Sequence, residues 1–190
     1  MGLWGASDSD ESKPKNLTTA EKKEVFANAS GWVREAGSAL TGNDNTSADP
    51  EVLVAIGGLA VSIGAADITE IEFVTTAFDK SDGGNIDVLV RFNEPVDVTG
   101  TPQFLITNNT SSSRNITANY LSGTGTNELT FRKTIAAGNA ATNANDVLKV
   151  VANPVSLNSG TIKDAGTNTA STITSAVAIG TAAGTLTVAA

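Results

Sequence analysis

Gly84-Asn85-Ile86-Asp87-Val88-Leu89-Val90-Arg91-Phe92 is written in a period of two. Ile86, Val88, Val90 and Phe92 fall on one face of an extended chain, and Asp87 and Arg91 fall on the other. That alternation predicts a half-buried strand of an antiparallel sheet. Outward from it the same signal repeats. Upstream, Glu70-Ile71-Glu72-Phe73 alternates acid and apolar. Downstream, Gly100 and Pro102 break the chain, and Phe104 and Ile106 resume the period.

The segment Asn108 to Asn115 is wholly polar and reads as a loop. Ile116-Thr117-Ala118-Asn119-Tyr120 alternates again, and Ser122-Gly123-Thr124-Gly125 turns it. Leu129 and Phe131 share a face of the next strand. Val147, Leu148, Val150 and Val151 form another, and Leu186 and Val188 fall in the last. About seven short strands at roughly 8–15 residue spacing, with no helix among them, predict an all-β chain built as an antiparallel sandwich.

The N-terminal third is different. Residues 1–24 form a polar arm with five acids and four bases, in which Leu3 and Trp4 are the apolar exceptions. These two are expected to anchor the arm on a neighbouring subunit or on the chain's own body. Thr18-Thr19-Ala20-Glu21 fits a capping box, which predicts a helix of about two turns through Phe26, closed by Gly31. Gly31-Trp32-Val33-Arg34-Glu35 and Pro50 to Ile56 read as two strands joined by a polar loop. A two-stranded unit is marginal alone in water and has to pack on something. Trp32 is expected in its core, and with Leu3 and Trp4 it forms the set of candidate partner-binding residues. The expected organisation is an arm and short helix over 1–30, a hairpin attachment segment over 31–66, and a β-sandwich over 67–190.

Composition narrows the chemistry. The chain has 190 residues, 12 Lys and Arg, 20 Asp and Glu, a net charge of −8, no Cys and no His. Disulfides, thiolate nucleophiles and sulfur-ligated zinc are excluded, as are Ser-His-Asp triads and histidine-based zinc sites. Between residues 34 and 100, 12 acids face 3 bases, a surface that repels nucleic acid and suits a basic protein partner. The longest nearly apolar run, Val52 to Ala66, is too short and too Gly-rich to span a bilayer. The N-terminus carries no cationic start or apolar core of a signal peptide. Synthesis in a cytoplasm and a soluble product are therefore expected. From Gly166 to Ala190 there is no charged side chain. That tail reads either as a final strand from Thr185 with a loose lead-in or as an edge strand packed on a neighbouring subunit.

Two motifs invite a chemical reading. Asp79-Lys80-Ser81-Asp82-Gly83-Gly84-Asn85 partly fits a calcium loop, but the position where an EF-hand places its bidentate Glu holds Val90. A looser Ca²⁺ site on Asp79 and Asp82 competes with a plain turn in which Gly83 and Gly84 take positive φ. Glu94 and Asp97 could form a carboxylate dyad. They sit at a strand end without an aromatic platform for a sugar, so no catalysis is expected, and neither a cofactor nor a structural metal.

Three stretches carry a resemblance: Gly84 to Val96 with Val98-Thr99-Gly100-Thr101-Pro102, Tyr120 to Arg132, and Val155-Ser156-Leu157-Asn158-Ser159-Gly160-Thr161-Ile162-Lys163-Asp164-Ala165. In order and spacing they resemble one Ig-like (cadherin-like) repeat of large bacterial surface adhesins, over about residues 72–175. The resemblance implies an Ig-like sandwich used for display or as a spacer. Met1-Gly2-Leu3-Trp4-Gly5, the Asp/Ser-rich arm, Gly31-Trp32-Val33 and Glu51 to Gly58 resemble the start of small structural proteins in tailed phages of marine bacteria. Together these imply a non-enzymatic virion protein assembled in the host cytoplasm. The expected role is head decoration or cement on the capsid exterior. The expected partners are the major capsid protein and neighbouring copies of the chain, with no nucleic acid and no membrane. The alternative is a tail, fibre or adhesin binding module that grips a glycan or host surface through the loop Asn108 to Asn115.

Overall fold

In the computed structural model the described residues are 13, 14, 16–38, 40 and 44–190. Leu3 and Trp4 lie outside them. The described residues are all-β apart from two short α-helices and brief 3-10 turns, and their strands form two sheets with separate cores.

The capping box forms as expected. The Glu21 N–H donates to Thr18 Oγ1 at 3.2 Å and the Thr18 N–H donates to a Glu21 carboxylate oxygen at 2.8 Å. The helix it starts, α1, ends at Thr19–Lys23, not at Phe26. Val25–Asn28 is instead a strand, β1, antiparallel to β2 at Gly31–Arg34. A helix this short is weak in water, whereas Val25 and Phe26, at 0% and 8% exposed, bury apolar area by pairing. Gly31 therefore opens β2 and does not close a helix. Its φ is +135°, and a Cβ there would stand 2.0 Å from the Val54 carbonyl oxygen. β3, Glu51–Ala55, completes a sheet of order β1-β2-β3, where only two strands were expected. Val25, Ala27, Trp32 and Leu59 form its core, with Leu17, Val54 and Ile56 packed around them.

A 3-10 turn, Leu59–Val61, leads to the larger sheet. Its strands are β4 (Ile68–Phe73), β5 (Phe78–Asp79), β6 (Gly84–Thr99), β7 (Gln103–Asn108), β8 (Ile116–Ser122), β9 (Thr126–Ile135), β10 (Val147–Lys149), β11 (Val155–Ser156), β12 (Thr161–Asp164) and β13 (Thr185–Ala189). The ladder runs β12-β6-β9-β8-β7-β10-β13-β5, with β4 also on β6 and β11 also on β7. Every pairing of named strands is antiparallel except β13 with β5. The ladder folds over one shared core in a sandwich-like arrangement. Ile86, Val88, Val90, Phe92 and Val96 of β6 meet Phe104 of β7, Leu129 and Phe131 of β9, Leu148 of β10 and Leu186 and Val188 of β13. The Phe104 and Phe131 ring centroids are 5.6 Å apart.

Two further expectations change near the C-terminus. Val177–Ala182 is a helix, α2, where only strands and loops were expected. Ile179 and Ala183 pack on the sandwich core, so tertiary burial holds a segment with no side-chain cap. β13 is not an edge strand. It lies between β10 and β5, and its lack of charge fits a strand enclosed on both sides.

Candidate attachment site

Trp32 stands opposite Ala27 on one side and Val54 on the other. Its side chain is 1% exposed, and its indole N–H has no acceptor among the described residues. The ring forms part of the wall of a cavity of about 520 Å³. Lys13, Lys22 and Lys23 supply positive charge to that cavity, Asp67 and Glu70 supply negative charge, and Ile179 of α2 supplies apolar surface. Lys13 donates from Nζ to the Lys22 carbonyl at 2.7 Å. Burial pushes the Lys13 ammonium down to about 8, against the opposing pull of Glu70 and Glu35. The cavity thus combines apolar surface with charge of both signs, a combination suited to an apolar anchor with a polar group.

The small sheet is fastened to the sandwich by a charged joint around Arg91 of β6. Arg91 Nε donates to Glu128 Oε1 at 2.6 Å, and Nη1 lies 3.3 Å from Glu70 and 3.1 Å from Glu72. Glu35, just past β2, lies 3.9 Å from Arg91 and accepts from Asn127 Nδ2 at 3.0 Å. Burial, and the Glu128 charge with it, push the Glu35 carboxyl up to about 7, against the Asn127 hydrogen bond and Arg91. Lys23 pairs with Glu70 from the side of α1. Within the small unit Arg34, 8% exposed, reaches Glu21 at 3.3 Å and Glu51 at 3.7 Å, which ties α1 to β3.

β3 is the outer strand of the small sheet and pairs only with β2 among the described residues. Its sequence, Glu-Val-Leu-Val-Ala, is apolar after Glu51, and Val52 is 50% exposed. An apolar strand with an unused hydrogen-bonding edge is a template for another strand. Leu40 and Val61, in the same unit, are also 50% and 59% exposed.

The other candidates fall elsewhere. The loop between β7 and β8 is braced from within. Asn108 Oδ1 accepts from Thr110 N and Ser111 N at 2.9 and 3.1 Å, and Asn115 Oδ1 accepts from Asn108 N at 2.8 Å. Arg114 grips Asp146 with two hydrogen bonds of 2.8 and 2.5 Å. Asp79 spends its carboxylate on a turn, with Oδ1 accepting from Ser81 N and Oγ at 2.7 and 2.6 Å, while Gly83 and Gly84 take φ of +67° and +135°. No group of three or more Asp, Glu, His or Cys among the described residues is placed to hold a metal. Glu94 and Asp97 form no dyad, because Glu94 is 0% exposed in the core face of β6 and Asp97 is exposed. Glu94 faces Asp164 of β12 instead. Among the described residues no helix is long and apolar enough to cross a membrane.

The fold and the site define a β-sandwich that carries a small accessory sheet with an open apolar edge. No family model, no curated protein and no solved structure matches the chain. The Arg91 joint escaped sequence reading because its four carboxylate partners come from three separate segments, just past β2, in β4 and in β9. The Asp164 partner of Glu94 escaped for the same reason, since 70 residues separate the two in the chain. The orphan indole of Trp32 had no sequence signal at all.

Proposed function

We propose that this chain is a non-enzymatic structural protein of a tailed-phage particle. It decorates or cements the exterior of the head, and its N-terminal unit is the part that binds the major capsid protein. The observation that carries this reading is the accessory sheet, which has its own core, an exposed apolar edge strand in β3 and a charged joint to the sandwich. A unit of that kind attaches by adding a strand and burying Val52 and its neighbours, while the sandwich remains free for display. Leu3 and Trp4 supply further anchors toward neighbouring copies, and repetition over the lattice multiplies contacts that are individually modest. The acidic surface complements a basic patch on the partner. Assembly takes place in the host cytoplasm, with no cofactor, nucleic acid or membrane involved.

The test uses particles that lack this protein, to which purified full-length chain is added. Wild type is expected to bind, and Val52→Lys is expected to lose binding while its unfolding midpoint stays unchanged. Equal binding by Val52→Lys would remove β3 from the attachment surface.

One observation favours the second reading, a tail, fibre or adhesin module. The Asn108–Asn115 loop is preorganised by its own side chains and by Arg114 on Asp146, and a preorganised polar loop loses little entropy on binding a glycan. A glycan array probed with wild type and Arg114→Ala separates this reading from the first.

A further inference from the structure

Along β6 the core-facing positions are Ile86, Val88, Val90, Phe92, Glu94 and Val96. Five are apolar and one is a carboxylic acid. Glu94 is 0% exposed, and neither of its carboxyl oxygens has a donor among the described residues. It sits where the pairing of β6 with β9 is interrupted, between Arg91 and Val96. Just beyond it Val96 to Thr99 pair with β12, in a register that sets Asp164 opposite Val96, two residues from Glu94. Asp164 is 1% exposed. Its Oδ1 accepts from the Gly166 and Thr167 N–H groups at 2.7 and 2.8 Å, and its Oδ2 has no donor. The groups that act on Glu94 are Asp164 from β12 and Asp67 from the lead into β4, both negative. No Lys or Arg is among them. Two buried carboxylates without a cation are prohibitively costly side by side, so one of them keeps its proton.

We infer that Glu94 is protonated in the folded protein and donates that proton to Asp164, forming a latch that closes the seam between the sandwich and the N-terminal unit. One proton satisfies the orphaned Asp164 Oδ2 and neutralises the pair. Burial first, then the charges of Asp164 and Asp67, push the Glu94 carboxyl up to about 8.

The latch holds a seam because of what Asp164 carries. The turn it caps packs on the 3-10 turn that leads out of the small unit, so closely that a Cβ on Gly166 would stand 3.2 Å from the Ala60 carbonyl oxygen. Beyond the turn, Thr172 N donates to Ala66 O at 2.8 Å and pairs with Asp67. Asp67 N in turn donates to Asn93 Oδ1 at 2.6 Å, next to Glu94 in β6. When the pH rises, the proton passes to water and leaves two adjacent carboxylates, with Asp67 as a third negative group. The 164–172 segment then loosens from β6 and from residues 59–67.

The sign follows from linkage. The unfolded chain releases the Glu94 proton near 4.5 and the folded chain near 8. The contribution is full below the first value, falls as pH rises between the two, and levels off above the second. The inference does not rest on any role in a particle.

Urea unfolding of the full-length chain from about pH 5 to about pH 9 tests it, with the unfolding constant of wild type rising by as much as tenfold per pH unit on the way to pH 8. Glu94→Gln, whose amide donates to Asp164 without titrating, is expected to remove the Glu94 share of that rise, leaving only what Glu35, itself pushed up to about 7, contributes below pH 7. Amide exchange over residues 164–172 should accelerate with pH beyond the intrinsic rate in wild type and not in Glu94→Gln. The infrared band of a protonated carboxyl that disappears near pH 8 should be absent from the variant, while the Glu35 band, lost near pH 7, stays in both. If Glu94→Gln does not fold, Asp164→Asn replaces it, with the same loss of the pH-dependent rise. Parallel pH profiles for wild type and variant would overturn the latch. So would stabilisation of wild type by Ca²⁺ that EDTA reverses and Glu94→Gln abolishes, since a cation would then hold the pair.

Discussion

At the scale of single residues, burial and polarity meet at Trp32 and at Asp146. Trp32 fills the core of the small sheet and also forms part of the cavity wall. Trp32→Ala is expected to cost about 3–5 kcal/mol by cavity formation, measured by urea unfolding. Asp146 is 0% exposed, and its carboxyl is held down to about 2, chiefly by the hydrogen bonds from Arg114. Its folded value lies below its ordinary 3.8, so the stability it contributes is present above the ordinary value and is lost as pH falls toward 2. Asp146→Asn should therefore flatten the acid limb of the stability profile and reduce stability at neutral pH by about 2–3 kcal/mol. An acid limb unchanged in Asp146→Asn would place the acid sensitivity elsewhere. Glu94 shows how far one residue can be read from sequence. The two-residue period of β6, carried past Phe92, places Glu94 inward. Its partner, a turn-capping Asp on another strand, appears only once β12 is laid beside β6.

At the scale of elements, the alternating segments 70–73, 86–92, 104–106 and 129–131 are strands as their sequences predict, because each buries one face on a common core. The elements that differ are short ones settled by packing. β1 replaces the second turn of the expected helix, since the capping box fixes where a helix starts but says nothing about Val25 and Phe26 meeting β2. α2 has neither a capping side chain nor a clear apolar period in its sequence, and it forms because Ile179 has a core to enter. Gly31 is the residue on which the small sheet turns. Gly31→Ala must place a methyl against the Val54 carbonyl and hold a positive φ, so a loss of more than about 3 kcal/mol is expected. Proteolysis of the 25–55 segment with the sandwich left intact would be its signature. The open edge of β3 makes the opposite prediction. Val52→Lys changes stability by less than about 0.5 kcal/mol and still removes attachment.

At the scale of the whole molecule, two cores are joined by a charged seam. Arg91 faces Glu35, Glu70, Glu72 and Glu128, and removing it leaves those carboxylates against one another at the contact between the units. Breaking a partly buried pair in this way is costly, so Arg91→Ala is expected to split thermal unfolding into two transitions, the small unit melting first. A single cooperative transition in Arg91→Ala would show that the remaining contacts, such as those of β1 with β6, suffice to couple the units. None of this seam could be read from the chain's order. The acidic balance between residues 34 and 100 was plain in the sequence, but which of those acids gather on one arginine depends on how β2, β4, β6 and β9 converge. Among the described residues β3 pairs only with β2, and that edge is the geometry on which the proposed decoration role rests.

That role is tested most directly by quantitative mass spectrometry of purified particles, with the copy number of this chain set against that of the major capsid protein. A copy number of the same order as the capsid protein's is predicted, as a lattice-bound decoration protein requires. A few copies per particle, or none, would contradict it.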